Sequence, residues 1–220
     1  SLNNEARFSY VRVRDQRTSG AAAPSIVISN VGKGSVGIGN EGYSMANGLD
    51  QDVYTFEDNL TWLRGSHAFT FGTHNEVYKF SNLFLPNLYG AYTFNSPQDF
   101  FDVVNGTADG SKIASYAVTQ GNIDVTGNAM WAPSFSAAQL GFYLQDKWDA
   151  TNNFQLTYGL RMDIPIFFDA PTENVEFNKW AADNDYSFKT NRKLSSTPMW
   201  SPRVGFRWDI KNDRKFILRG

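Results

Sequence analysis

Residues 154–164 alternate strictly between apolar and polar side chains, and no other feature of the chain constrains its fold as much. The apolar positions are Phe154, Leu156, Tyr158, Leu160, Met162 and Ile164, separated by Gln155, Thr157, Gly159, Arg161 and Asp163. A period of two is typical of a β-strand with one apolar and one polar face. A tilted strand needs about 9–11 residues to cross a membrane, whereas strands of globular proteins average about 5–6. Both 155–164 and 139–148 are long enough to cross.

The same alternation recurs along the chain and predicts about seven strands. It is visible over 54–62, 69–77, 140–148 and 204–210, with a first strand at 6–13 and a last one at 216–220. Only Pro97–Val104 favours a helix. The expected fold class is therefore all-β.

Short and long connections alternate between these strands. The short ones are 64–67, 149–153 and 211–215, and the long, irregular ones are 15–50, 81–136 and 167–199. Compact soluble domains seldom carry loops longer than about 12–15 residues. Strict alternation places every long loop on one side of the sheet, as in outer-membrane barrels with short periplasmic turns and long extracellular loops. The sequence thus predicts part of an antiparallel transmembrane β-barrel in a Gram-negative outer membrane.

Aromatic residues flank each short turn. They are Trp62, Phe69, Trp148, Phe154, Trp208 and Phe216. Outer-membrane barrels carry aromatic girdles at the membrane boundary, so we expect these six side chains to lie there. The composition agrees, because 15% aromatic residues coexist with a mean hydropathy of −0.41.

Several functional classes are disfavoured. The net charge of −2 offers no electrostatic surface for nucleic acid. There is no cysteine, and the two histidines, His67 and His74, lack a third ligand at a recognisable spacing, although His74 shares a strand face with Glu76. No nucleophile–base set stands out, so we expect neither an enzyme nor a cofactor. The glycine-rich segment 32–37 lacks the following helix that a dinucleotide site requires.

Seven strands would leave two unpaired edges in lipid, whereas bacterial barrels close with an even number of strands. Residues 1–220 are therefore expected to be a segment of one outer-membrane barrel domain that belongs to a longer polypeptide.

Three segments resemble the barrel of TonB-dependent outer-membrane receptors, particularly the large Oar-like members. They are FEDNLTWLRGSHAFTFGTHNEVYK at 56–79, GFYLQDKWDATNNFQLTYGLRMDIP at 141–165 and SPRVGFRWDIKNDRKFILRG at 201–220. The resemblance implies a barrel of 22 strands with an N-terminal plug, and contact with the TonB complex through an N-terminal region. Neither the plug nor that region is visible in this sequence. A surface lipoprotein is a further partner that the family suggests.

The resulting expectation is a TonB-dependent receptor that binds and moves a bulky solute, such as a peptide, glycan or chelate, across the outer membrane. Seven polar-face residues are candidates for contact with solute or plug: Glu57, His74, Glu76, Tyr143, Arg161, Asp163 and Arg203. Residues 145–147 are expected to face the lumen or its rim. Four loop aromatics are candidate stacking surfaces for a ligand: Tyr89, Tyr92, Phe100 and Phe101.

Two alternatives remain open at this point. One is a secreted, soluble β-sandwich that binds carbohydrate, in which the apolar strand faces would form the core. The other is a plugless porin or secretion channel, which would keep the barrel but dispense with TonB.

Overall fold

A computed structural model describes residues 1–17 and 21–220 of the chain, which form eleven strands and three α-helices. The strands are β1 (Leu2–Gln16), β2 (Ser25–Val31), β3 (Gly34–Gly39), β4 (Asn47–Arg64), β5 (His67–Phe84), β6 (Ala91–Phe94), β7 (Ile113–Ala117), β8 (Ser134–Asp149), β9 (Phe154–Phe167), β10 (Met199–Asp209) and β11 (Ile217–Arg219). The helices are α1 (Pro97–Val104), α2 (Ile123–Thr126) and α3 (Val175–Asp183), with a 3-10 turn at Gly110–Lys112. No helix in these described ranges is long and apolar enough to cross a membrane.

Seven strands form one sheet in the order β1-β4-β5-β8-β9-β10-β11, which confirms the predicted number. β9 pairs antiparallel with both β8 and β10, and β10 pairs antiparallel with β11. The three predicted short turns are also confirmed, because they join β4 to β5, β8 to β9 and β10 to β11. The first of them uses Gly65 at a positive φ of 60°, a conformation that glycine adopts without steric cost.

The strand register gathers the apolar side chains on one face of the sheet. Leu144 lies opposite Leu160, and Val204 lies opposite Tyr158. This face is exposed: Val204 is 75% accessible and Leu144 is 52% accessible. In a soluble sandwich the same side chains would form the buried core. An exposed apolar face is instead what a strand presents to lipid.

The chain divides into two compact units, and the second contains structure that the sequence did not predict. The first comprises Ser1–Arg12, Asp52–Lys79 and Phe135–Gly220, and the second comprises Val13–Gln51 and Phe80–Ser134. Inside the second unit lies a four-stranded sheet in the order β3-β2-β6-β7, in stretches that we expected to be irregular. Its central pair is parallel and matches Ile26 with Tyr92. That partner lies 66 residues away, and local alternation in strands this short does not reveal such a pairing.

One of the three α-helices was predicted from the sequence and two were not. The predicted helix at Pro97–Val104 is confirmed as α1, which starts at an N-cap where the Ser96 hydroxyl accepts from the backbone N–H of Asp99 at 3.1 Å. α2 and α3 were not predicted. The glycine-rich segment 32–37 forms the turn of the β2–β3 hairpin and the start of β3, and no helix follows it directly. Gly32, in the turn, has a φ of 63°.

The two outer strands differ from the predicted ranges. β1 begins at Leu2 and ends at Gln16, beyond the expected limits of 6 and 13, because pairing continues through polar residues that interrupt the apolar pattern. β11 starts at Ile217, so Phe216 belongs to the connection that precedes it.

Candidate functional site on the polar face of the sheet

Five of the seven predicted polar-face residues line one open cavity of about 290 Å³ in the first unit. They are Glu57 from β4, His74 from β5, Tyr143 from β8, Arg161 from β9 and Arg203 from β10. The other two, Glu76 and Asp163, contact His74 and Arg161. Strands that are distant in sequence therefore bring the seven side chains into one connected group.

A histidine between two carboxylates forms one side of this cavity. His74 Nδ1 lies 2.5 Å from Glu57 Oε1, and His74 Nε2 lies 3.5 Å from Glu76 Oε1. Glu76 also accepts a hydrogen bond from Tyr78. All three members of the His–Glu group are about 30% exposed, so water reaches them. Within residues 1–17 and 21–220, no group of three or more His, Cys, Asp or Glu side chains, this one included, is arranged so that it could hold a metal ion.

An arginine–aspartate pair forms the other side. Arg161 Nε lies 2.8 Å from Asp163 Oδ2, and a terminal guanidinium nitrogen lies 2.7 Å from Oδ1. Gln139 donates a further hydrogen bond to the same carboxylate at 3.2 Å. The pair rests directly on Gly141, since a β-carbon at this position would lie 2.5 Å from the Arg161 guanidinium and 2.9 Å from the carbonyl oxygen of His74. A two-pronged guanidinium–carboxylate contact fixes orientation as well as charge.

Tyr143 lies between the two sides. The Arg161 guanidinium carbon is 5.6 Å from its ring centre, which is within the range of a cation–π contact. Its hydroxyl donates to Asn59 Oδ1. The ring lies over Gly72, where no side chain intervenes. Sequence alternation identified Tyr143, Arg161 and Asp163. It missed the glycines, whose role appears only once neighbouring strands are in register.

Arg203 differs from Arg161 in having no anionic partner among residues 1–17 and 21–220. No ion pair or hydrogen bond involves its guanidinium in the part of the chain that the structure describes. It lies opposite Gly159 in the β9–β10 register, on the same face as Arg161.

One prediction about residues 145–147 is wrong. Asp146 lies on the apolar face, opposite Tyr158, rather than toward the lumen. Its position follows from the period of two, which places it between Leu144 and Trp148. Tyr158 and His67 cover the Asp146 side chain, which is 4% exposed. Its carboxylate accepts from the Tyr158 hydroxyl at 2.8 Å and lies 2.6 Å from His67 Nδ1.

The aromatic residues at the short turns form contacts across strands. The rings of Trp62 and Phe69 lie 5.5 Å apart, and Phe154 lies 6.3 Å from Phe206. His67, expected in a turn, is the first residue of β5 and stacks between Phe69 and Trp148 at 5.3 and 5.5 Å. Trp208 and Phe216 are exposed, and the ammonium group of Lys211 lies 5.7 Å from the Phe216 ring centre.

The four loop aromatics occupy different environments in the second unit. Phe100 packs edge-on against the buried Phe94 at 5.3 Å. Phe101 and Tyr89 are exposed. Tyr92 pairs with Tyr116 at 4.7 Å, and both line a separate open cavity of about 440 Å³. Tyr116 was not predicted from the sequence, because β7 has no alternation that distinguishes it.

A sheet with an exposed apolar face, a charged and polar opposite face and alternating short and long connections defines the wall of a transmembrane β-barrel. A family model described as outer membrane beta barrel domain matches residues 1–220, and the chain belongs to this family. The protein is therefore an outer-membrane protein, as predicted. The membrane location rules out the soluble sandwich.

Comparison with solved structures shows a likeness to the outer membrane transporter YddB from Escherichia coli, at 13% identity and a TM-score of 0.49. The match covers 99% of this chain and 22% of the transporter chain, so the protein spans about a fifth of the structure it resembles. No curated protein matches the sequence.

Proposed function

We propose that the chain forms part of the wall of a TonB-dependent receptor that binds and moves a bulky solute across the outer membrane. The observation that carries the proposal is the cavity on the polar face, where charged and aromatic side chains from five strands converge. A wall that only had to exclude lipid would need polarity there but no such convergence. The resemblance of three segments to TonB-dependent receptors supports the same assignment.

The sheet is proposed to be one arc of a larger closed barrel. Among the strands that the structure describes, β1 pairs with β4 alone and β11 with β10 alone, so each presents one free edge there. Each unsatisfied backbone group costs several kcal/mol in lipid, and closure by further strands removes that cost.

In this receptor the polar side chains of the lumen and the aromatic side chains of the loops have different roles. The carboxylates, His74 and Arg161 would hold a plug domain and the solute by hydrogen bonds within the lumen. The exposed loop aromatics, together with the Tyr92–Tyr116 pair, would offer flat surfaces to a sugar ring or a peptide on the extracellular side. The solute class that best fits stacking surfaces combined with paired charges is a peptide, a glycan or a metal chelate.

Planar-bilayer conductance of the full natural polypeptide tests the proposal first. A plugged receptor should be closed at rest and open after a denaturant displaces the plug, whereas a steady open pore would establish the porin alternative. Uptake is tested next by comparing the solutes removed from growth medium by wild-type cells, cells lacking the receptor and cells lacking TonB. A solute that is removed only by the wild type supports energised uptake. Equal removal without TonB contradicts it.

A further inference from the structure

The polar face of β8–β11 carries four cations around a floor of small residues. Three cross-strand rows define this surface, which we call the basic floor. One row is Gln145–Gly159–Arg203, the next is Lys147–Thr157–Gly205, and the third is Asp149–Gln155–Arg207–Arg219. All of these residues share one face, because directly paired residues of adjacent strands point the same way.

Arg207 and Arg219 are direct cross-strand partners in the β10–β11 pairing. Like charges placed directly opposite one another destabilise a sheet. A carboxylate between the two guanidiniums would offset the repulsion. No ion pair is formed by Lys147, Arg203, Arg207 or Arg219 within residues 1–17 and 21–220.

The single carboxylate in these rows is already engaged. Asp149 Oδ1 accepts from the Gln155 side-chain amide at 2.6 Å. Four positive charges therefore share these three rows with one negative charge. A second carboxylate on the same face, Asp209, lies two residues beyond Arg207 and accepts from the backbone N–H of Arg214 at 2.9 Å, so the rows as a group keep an excess of positive charge. The opposite flank of the same wall has the reverse balance, with Glu57 and Glu76 beside His74.

The basic floor also has space for a ligand. A shallow cavity of about 240 Å³ lies over β9 and β10, lined by Arg203, Arg207, Gln155, Thr157 and Gly205. Arg203 and Arg207 are four residues apart, about 13 Å along the strand, with Gly205 midway between them. The two guanidiniums therefore flank a stretch of bare backbone, with a hydroxyl and an amide on the neighbouring strand. Two guanidinium forks beside neutral donors suit the oxygens of a phosphate or carboxylate group.

We propose that the basic floor binds an oxyanion, a phosphate or carboxylate group, within the lumen. This inference rests on the polar face being the lumen wall and does not depend on TonB. Phosphate binding by the purified receptor and TonB-dependent uptake by cells are separate measurements, so either idea can fail while the other stands.

The test is equilibrium dialysis of the full natural polypeptide in detergent against labelled inorganic phosphate, at constant ionic strength. Arg203→Gln and Arg207→Gln should each weaken phosphate binding about tenfold or more, because each removes a charge-assisted hydrogen bond. Arg192→Gln in the loop after β9 makes the same charge change away from the basic floor and should leave binding unchanged. Phosphate binding that none of the three substitutions alters would overturn the proposal.

A second measurement distinguishes a diffusible anion from an acidic side chain of the receptor itself. If such a side chain occupies the basic floor, the wild type binds no phosphate, and Arg207→Gln lowers the unfolding temperature while Arg192→Gln does not. This outcome supports the oxyanion site and identifies its source. The site would be refuted if the wild type bound no phosphate and Arg207→Gln left the unfolding temperature unchanged or raised it. That result would mean that the substitution only relieves the repulsion between Arg207 and Arg219.

Discussion

The ring of Tyr143 lies directly over Gly72, so close that a β-carbon at position 72 would come within 2.3 Å of it. Real β-carbons do not approach other atoms this closely, so the ring can occupy its place only over a glycine. This contact places the Tyr143 hydroxyl beside Asn59 and its face beside Arg161. The centre of the cavity therefore depends on a residue that has no side chain.

Gly72→Ala should displace Tyr143 and lower the unfolding temperature of the barrel. The added methyl group overpacks the site, at a typical cost of about 1–3 kcal/mol. Tyr143→Leu removes most of the ring, so the double variant should be destabilised by less than the sum of the two single changes. Unfolding is followed by the boiling-dependent mobility shift as a function of temperature. Additive effects would show that the two residues do not contact each other.

The apolar face of β10 provides a direct test of which side meets lipid. Val204→Arg should block insertion, because an arginine at the bilayer midplane costs about 2–4 kcal/mol on the lipid face of a barrel. Ser201→Arg makes a similar addition three residues away on the polar face and should insert normally. The measurement is the fraction of heat-modifiable protein after folding into lipid vesicles. Insertion of Val204→Arg together with failure of Ser201→Arg would mean that the faces are assigned the wrong way round.

Sequence alone predicted the wall of this protein well, because alternation is local information. Once Phe154–Ile164 is read as a strand, the tight turn at 149–153 determines β8 as its antiparallel neighbour. The polar-face candidates follow from the same parity. Five of the residues that line the cavity, one from each of five strands, could therefore be predicted without knowing how the strands are paired.

Sequence could not predict features that depend on pairing between distant segments. The parallel match of Ile26 with Tyr92 joins two loops, and neither segment is patterned to reveal it. Asp146 appeared to belong to a polar triplet, and only its contacts with His67 and Tyr158 explain how a carboxylate lies on the apolar face. The packing roles of Gly72 and Gly141 likewise depend on the strand opposite.

Arg161→Ala should reduce solute uptake or plug retention while leaving membrane insertion intact. The substitution leaves Asp163, which is 9% exposed, with Gln139 as its one remaining hydrogen-bond donor among the described residues. An under-satisfied buried polar group typically costs about 1–3 kcal/mol. Changing both members, as Arg161→Gln with Asp163→Asn, removes the pair without stranding a charge and should restore stability but not uptake. Solute uptake is measured in cells, and insertion is measured by the mobility shift of protein in membranes extracted from the same cells. Failure of Arg161→Ala to insert would contradict the inward orientation of the side chain.

The N-terminus of α1 should lose stability in acid. A hydrogen bond from the Ser96 hydroxyl lowers the pKa of Asp99, and the Lys112 ammonium group 3.2 Å away lowers it further. A carboxyl group whose pKa is lower in the folded state stabilises that state above its unfolded pKa of about 4. The contribution is lost as pH falls through the lower folded value. Hydrogen exchange at the α1 amides should therefore be constant from neutral pH down to about 5, after correction for intrinsic rates, and should lose protection below about 4. Asp99→Asn removes the titrating group, so its corrected protection should not change over that range. A wild type that stays equally protected in acid would show that the ionised carboxylate does not hold this helix end.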